Sequence, residues 1–214
     1  MAKAKVGNQE KIKAEFIAYV LEHEHKPASI FKFVKALKLK EEVFYEEFNS
    51  FENVEKQVWL DFFNETVEKL RGDEVFDEYS VREKMLAFFF TWIEVLKANR
   101  SYILLTVPKM HVPQMTPYYL SGIRSAFKDF ISELLLEAKE TEEVKNRPYI
   151  SNRYEDAIWI QFLFVMNFWL KDESKAFEKT DAAIEKSVNL AFDLMGAGPL
   201  DAMVDFGKFL FQNR

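Results

Sequence analysis

The segment from Ser29 to Phe48 constrains the fold of this chain more than any other part of the sequence. It reads SIFKFVKALKLKEEVFYEEF, and its apolar residues recur at helical intervals on both sides of a short polar break. These apolar residues are Ile30, Phe33, Val34, Leu39, Phe44, Tyr45 and Phe48. The spacing predicts two short helices joined by a tight turn, which is a helix-turn-helix.

The segment resembles the pattern SVxxIAxxxGVSxxTLYxHF of the TetR family of transcriptional regulators. Aligned without a gap, it departs from that pattern at polar positions, where Lys38 stands at the turn Gly, Lys40 at the capping Ser and Glu47 at the His. The residues that match in type are Ser29, Ile30, Phe33, Val34, Leu39, Phe44, Tyr45 and Phe48. The resemblance implies an all-α, TetR-like fold, with an N-terminal three-helix helix-turn-helix domain and a C-terminal helical domain for ligand binding and dimerisation.

We expect the first domain to cover residues 1–52 and the second to cover residues 53–214. A first helix is predicted from Asn8 to His25, followed by a helix capped by Ser29 and a third that begins near Lys40. Ser50 is expected to cap a fourth helix that ends at residues 71–73, Arg-Gly-Asp.

Helix signals continue through the second half of the chain. Ser80 and Glu83 form a capping box that opens a helix through Ala98. A short segment over residues 100–107 follows, and Thr116-Pro117 is expected to begin a long helix towards Glu143. The later helices are predicted over Tyr154 to Trp169, from a Ser174 cap to Met195, and over a last short stretch from Leu200 to Leu210.

Composition excludes several classes of protein. The chain has no Cys, so disulfides, thiolate metal sites and Cys nucleophiles are absent. We find no His cluster, no phosphate-binding Gly loop and no catalytic constellation, and we therefore expect neither an enzyme nor a cofactor or metal. The start MAKAKVGNQEK has no apolar core, so we expect no signal peptide, and the longest apolar run, Ala157 to Leu170, is shorter than the ~20 residues of a membrane helix. A soluble, cytoplasmic protein without a membrane span is the expectation.

The resemblance implies a DNA-contacting face on the third helix, because that helix enters the major groove in the family and the Tyr of the LY pair touches a phosphate. The residues expected to contact DNA are Ser29, Lys38, Lys40, Glu41, Glu42, Val43, Tyr45 and Glu46. Duplex DNA would be the partner.

The charges of this helix oppose that expectation. Glu41, Glu42, Glu46 and Glu47 lie where the DNA-reading helix is expected, and the whole chain has a formal net charge of -6. A Glu about 7 Å from a phosphate is repelled by roughly 0.6 kcal/mol at the dielectric of water, whereas a bidentate base contact returns about 1–3 kcal/mol. Alternatively, the acids form a solvated face, with the first two favoured by the helix dipole.

Aromatic and Met residues are concentrated in the predicted second domain. The family resemblance implies a pocket there for a hydrophobic small molecule, and Met side chains provide adaptable walls. The candidate ligand-binding residues are Phe89, Trp92, Tyr102, Met110, Met115, Tyr118, Tyr119, Phe162 and Met166. The alternative is that these residues form ordinary core and dimer contacts.

Two functions remain open from the sequence. The first is a TetR-like, ligand-responsive transcriptional regulator that binds DNA as a homodimer through its late C-terminal helices, which are too apolar to be left in water. The second is a TetR-fold binding protein for a lipid-like or hydrophobic small molecule that has lost sequence-specific DNA binding. The stretch FWLKDESKAFEKTDAAIEK loosely resembles a segment of lipid-binding ubiquinone-biosynthesis relatives and favours the second.

Overall fold

The computed structural model describes residues 7–107, 116–147, 151–196 and 198. Over these residues the secondary structure is helical, without strands, which confirms the predicted all-α class. The α-helices are α1 Asn8–His23, α2 Ile30–Ala36, α3 Glu41–Glu47, α4 Phe51–Arg71, α5 Val81–Ala98, α6 Arg100–Thr106, α7 Ile123–Glu140, α8 Tyr154–Lys171 and α9 Glu178–Met195.

The chain divides into two compact units. The first unit comprises Met1–Glu65 and Val95–Ser125, and the second comprises Thr66–Glu94 and Ala126–Arg214. The domain boundary that we expected after Glu52, in the first turn of α4, stays a prediction.

Aromatic residues hold the N-terminal helices of the first unit together. The ring of Phe51, at the start of α4, lies 5.6 Å from Phe16 of α1, 5.4 Å from Phe33 of α2 and 5.6 Å from Phe44 of α3. Phe16, Phe33 and Phe44 are buried. One ring therefore packs against all three preceding helices, and such aromatic pairs add to the free energy gained by burial alone.

The second unit has its own aromatic core. The ring of Phe127 on α7 lies 6.0 Å from Phe88 of α5, and 5.1 and 4.9 Å from Trp159 and Phe162 of α8. All four side chains are almost completely buried. These contacts join α5, α7 and α8.

Three predicted helix starts are confirmed by hydrogen bonds. The hydroxyl oxygens of Ser29 and Ser50 each accept from the backbone N–H three residues later, at 3.4 and 3.3 Å. The Ser80 hydroxyl accepts from the Glu83 N–H at 3.3 Å, and the Glu83 carboxylate accepts from the Ser80 N–H at 2.8 Å. The hydroxyl and backbone N–H of Ser80 lower the pKa of Glu83, as expected for a capping box.

The helix predicted from Thr116-Pro117 is wrong at its start. Pro117 has an extended ψ of 145°, and its carbonyl accepts from Leu120 N–H at 3.0 Å, which closes a single 3₁₀ turn over Tyr118–Leu120. The α-helix begins only at Ile123. A proline at the first position of a helix must have a helical ψ. Pro117 does not, so the Thr116-Pro117 pair does not start a helix here.

That helix also ends before the predicted Glu143. It stops at Glu140, and Glu142 has a left-handed φ of 61°. The Glu143 carboxylate instead accepts from the backbone N–H groups of Val81 and Arg82, at 2.9 and 3.1 Å. Glu143 therefore serves the N-terminus of α5, where unpaired donors and the helix dipole favour an anion.

The start of α9 also differs from the prediction. Phe177 lies outside the helix with a left-handed φ of 65°, and α9 begins at Glu178. The Ser174 hydroxyl accepts from the Lys179 N–H at 3.2 Å. The buried Asp172 carboxylate also serves this helix start, because it accepts from the N–H and hydroxyl groups of Ser174 and Thr180, at 2.6–2.9 Å. Burial opposes ionisation, but these hydrogen bonds hold the pKa of Asp172 well below its usual value. The predicted last helix over 200–210 lies outside the described residues.

Candidate functional site

The turn between α2 and α3 has the geometry of a Schellman motif. Lys38 adopts a left-handed φ of 58°. Its N–H donates to the carbonyl of Lys35 at 3.1 Å, and the N–H of Leu39 donates to the carbonyl of Val34 at 2.9 Å. This arrangement terminates a helix and normally uses Gly. The position at which the sequence pattern has Gly is therefore the position that needs a positive φ, and here Lys38 occupies it.

The apolar residues of this segment divide into buried and exposed sets. Phe33, Val34, Phe44 and Phe48 are buried, and Tyr45 is 50% exposed. Ile30 and Leu39 are half-buried. The buried side chains fix α2 and α3 in the first unit and leave the other face of α3 in solvent.

The residues predicted to contact DNA lie on α3, in the preceding turn and at the start of α2. Lys38, Lys40, Glu42, Tyr45 and Glu46 are exposed. The remaining three, Ser29, Glu41 and Val43, are half-buried. Lys40 occupies the N-cap position of α3 without a side-chain capping bond, which agrees with the replacement of the expected Ser. Their contact with DNA stays a prediction.

A polar cluster that the sequence did not reveal lies elsewhere in the first unit. The buried Glu55 carboxylate accepts at Oε2 from the Lys26 ammonium at 2.5 Å and from the Tyr118 hydroxyl at 2.7 Å. The Lys26 Nζ also lies 2.8 Å from the Tyr118 hydroxyl oxygen. One oxygen of Glu55 thus receives two donors in a closed triangle. One sequence signal was available for this cluster. Glu55 is a charged residue on the apolar face of α4, three positions before Val58 and seven positions before Phe62.

Two more tyrosines lie in the same unit. Burial raises the pKa of the Tyr102 hydroxyl strongly, and the charge of Glu55 adds to the effect. Burial likewise raises the pKa of Tyr119 to about 12. Both phenols therefore stay neutral at physiological pH.

The candidate ligand-binding residues fall into different parts of the chain. Tyr102, Tyr118 and Tyr119 belong to the first unit, where Tyr118 and Tyr119 are in contact with ring centroids 5.6 Å apart. The second unit contains Phe89, Trp92, Phe162 and Met166, all of them buried. Within that set, Trp92 and Phe162 contact each other at 5.2 Å. Met110 and Met115 lie outside the described residues.

An apolar groove runs along α8 and α9 in the second unit. It has a volume of about 990 Å³. Large apolar side chains in it are exposed to 51% for Ile160, 47% for Phe164 and 59% for Leu190. Its remaining lining combines four Ala residues with larger apolar side chains such as Ile158, Phe168 and Leu194, and its charged members are Arg153, Lys179 and Lys186. A surface of this kind on a helical protein is typical of a protein–protein contact.

The fold and these surfaces define the class of the protein. It is an all-α protein in which two short helices, α2 and α3, lie near the N-terminus, and the late helices α8 and α9 carry an apolar face. The family model described as "Tetracyclin repressor-like, C-terminal domain" matches residues 84–210. The chain therefore belongs to the TetR family, whose proteins are transcriptional regulators, and the predicted relationship is confirmed. Searches of curated proteins and of solved structures returned no match.

Within the described part of the chain, no helix is long and apolar enough to cross a membrane.

Proposed function

We propose that this chain is a ligand-responsive transcriptional regulator that binds DNA as a homodimer. The observation that carries the proposal is the geometry of α2, the Lys38 turn and α3. The buried Phe44 fixes α3 from one side, and Tyr45 and Lys40 are exposed on the other. A short helix presented in this way is what a helix-turn-helix uses in the major groove.

The groove along α8 and α9 supports homodimerisation. Monomeric soluble proteins seldom leave several large apolar side chains exposed next to one another. A second copy can cover the groove with the same groove, since a two-fold interface uses one surface twice. The exposed positions Ile160 and Phe164 are four residues apart on α8, and Leu190 and Leu194 are four apart on α9, so each helix presents one stripe.

The proposed mechanism follows from the dimer. Two copies of α3 fit two successive major-groove faces only at one separation, about one helical turn of DNA or 34–36 Å. A ligand that binds one conformation better than the other shifts the population between them. Ligand binding would therefore change operator affinity by changing the separation of the two α3 helices.

A second candidate function is supported by the charge of α3. Glu42, Glu46 and Glu47 are exposed and Glu41 is half-buried on a helix of seven residues. Each carboxylate near the DNA backbone opposes binding. This observation favours a TetR-fold protein that binds a lipid-like or hydrophobic molecule and has lost sequence-specific DNA recognition.

One experiment separates the two functions. The purified protein is titrated with a pool of random DNA duplexes at low and moderate salt, and bound duplexes are sequenced. Enrichment of a palindromic site is expected for the regulator, with affinity that falls as salt rises. Flat binding across the pool, even at low salt, would overturn the regulator and leave the second function. A Tyr45→Ala variant is the matched control, because it should lose enrichment while keeping the fold.

A further inference from the structure

A polar pair lies in the middle of the apolar groove on α8 and α9. The Gln161 amide donates from Nε2 to the Ser187 hydroxyl oxygen at 3.1 Å, so the two residues lie at the same level of the two helices. The lining of the groove runs from Arg153 to Phe168 along α8 and from Lys179 to Met195 along α9. Gln161 and Ser187 are therefore about equally far from both ends of the groove.

One atom of this pair has no hydrogen-bond partner among the described residues. It is Oε1 of Gln161, and the residue as a whole is only 9% exposed. A buried amide oxygen that accepts no hydrogen bond has lost its hydration without compensation. The Ser187 hydroxyl donates elsewhere, to the carbonyl of Ile184 at 3.2 Å. The groove thus contains an acceptor for which the described part of the protomer provides no donor.

Lys186 brings a matching donor to the same level of the groove. It precedes Ser187 on α9, lines the groove and is exposed. Its ammonium group forms no ion pair or hydrogen bond with the described residues. An ammonium group only donates, and covering it with apolar surface is costly unless it meets an acceptor. The other cations of the groove, Arg153 and Lys179, lie at its ends, where long side chains reach solvent.

A two-fold dimer brings this donor and this acceptor together. In such an interface, each contact between two different residues occurs twice, once on each side of the axis. When two copies cover each other's groove over its full length, the axis passes near the middle of the groove, which is the level of Gln161 and Lys186. The last torsion of a Gln side chain is broad, so a partial rotation presents Oε1 to the facing copy.

We propose that Gln161 accepts a hydrogen bond from the partner's Lys186 on each side of the two-fold axis, and that this pair fixes the register of the dimer. The inference deepens the homodimer proposed above and rests on it. The apolar part of the groove sets the register only weakly, because apolar contacts are not directional. A shifted dimer would cover the Lys186 ammonium with apolar side chains and leave it without an acceptor. Single polar residues fix the register of coiled coils by the same penalty.

Carbodiimide cross-linking tests the contact between copies, because the reagent joins a carboxylate to an amine that touches it. An isotope-labelled chain that carries Gln161→Glu and Lys186→Met is mixed with unlabelled parent chain. A cross-link from position 161 of the labelled chain to Lys186 of the partner subunit must join two copies, since neither chain contains both groups. We expect this product to predominate among the cross-links of position 161 in mass spectrometry. Its absence, or a preference of position 161 for Lys179, would overturn the inference.

The dissociation constant of the dimer, measured by sedimentation velocity over a dilution series, gives an independent test. Gln161→Leu leaves Lys186 without its acceptor, so the constant should rise at least about tenfold. In a Lys186→Met background, the same change should raise it by less than about threefold, because replacing both partners by apolar groups is nearly neutral. Circular dichroism checks that each variant retains its helices.

Lys179→Met is the matched background, because it removes a cation from the end of the groove rather than from its middle. Gln161→Leu should weaken the dimer about tenfold in this background, as it does in the parent. If Gln161→Leu has the same effect with and without Lys186, the two side chains are not coupled and the inference is wrong.

Failure of the inference and failure of the homodimer give different results. A parent protein that sediments as a monomer overturns the homodimer and the inference together. A dimeric parent that lacks the cross-link to Lys186 retains the homodimer and overturns only its pairing with Gln161. Neither measurement uses DNA, so both are independent of whether α3 binds an operator.

Discussion

The ammonium group of Lys26, in the connection between α1 and α2, donates a 2.5 Å hydrogen bond to the fully buried carboxylate of Glu55 on α4. The two residues are 29 positions apart in sequence. A buried carboxylate requires such a partner, because an unpaired charge in the interior is costly. The pair therefore stabilises the first unit and orients the chain that enters α2.

Replacement of Lys26 by Met should destabilise the protein by about 2–4 kcal/mol, because Glu55 is left buried with one fewer donor and no counter-ion. The partial exposure of Lys26 places the effect below that of a fully buried pair. Urea unfolding followed by circular dichroism gives the difference. Lys32→Met, at an exposed position of α2, is the control and should change stability by less than about 0.5 kcal/mol. Equal effects of the two variants would show that the ion pair contributes nothing.

The same pair predicts an alkaline limit to stability. Burial alone would lower the pKa of Lys26, but the hydrogen bonds to Glu55 and Tyr118 raise it above the ordinary value of 10.5. Because folding raises the pKa of Lys26, the protonated ammonium group stabilises the folded protein. This stabilisation is complete below the pKa of the unfolded state and is lost as the pH rises through the pKa of the folded state. The free energy of unfolding should therefore fall above about pH 10.5 more steeply in the parent than in Lys26→Met. Parallel curves for the two proteins from pH 9 to 11.5 would contradict this assignment.

Lys38→Gly should stabilise the protein by about 0.5–1 kcal/mol. The left-handed conformation costs a non-Gly residue about 1–2 kcal/mol, and the larger unfolded-state entropy of Gly removes part of that gain. Lys35→Gly, three residues earlier inside α2, should instead lose about 1 kcal/mol. Thermal and urea unfolding of both variants test the sign. A loss of stability in Lys38→Gly would mean that the Lys38 side chain makes a compensating contact.

Phe164→Asp should weaken self-association by roughly 2–4 kcal/mol, because it introduces a charge at the centre of the apolar groove. Sedimentation velocity at micromolar concentration should show a monomer for this variant and a dimer for the parent. Leu136→Asp, at another exposed apolar position in the second unit, is the control and should remain dimeric. A dimeric Phe164→Asp protein would place the interface elsewhere.

The double variant Glu42→Gln and Glu46→Gln should bind duplex DNA more tightly if α3 contacts it. Each neutralised carboxylate removes roughly 0.6 kcal/mol of repulsion, or about a threefold change in affinity at low salt. Fluorescence anisotropy with a labelled duplex provides the measurement. Glu140→Gln, which is exposed at the end of α7, should leave the affinity unchanged. If all three proteins bind alike, α3 is not the contact face.

Local signals allowed much of the fold to be predicted. The starts of α2, α4 and α5 follow from Ser29, Ser50 and Ser80, because a capping hydrogen bond spans only three residues. The α-helices expected to begin at Pro117 and directly after Ser174 begin later, at Ile123 and Glu178, because a single 3₁₀ turn precedes each of them.

The polar cluster could not be predicted in the same way. Lys26, Glu55 and Tyr118 come from distant parts of the chain, and Glu55 has no local partner that marks it as buried. The family pattern does have Gly at the position of Lys38, and the positive φ found there is the conformation that Gly adopts most easily.

The contacts of Phe51 have a mechanical consequence. Since one ring at the start of α4 touches rings on α1, α2 and α3, a small sliding or tilting of that first turn would alter its contacts with all three helices at once. The outward-facing charges of α3 would then be carried to a new place as a rigid block, with every backbone hydrogen bond inside α3 kept intact.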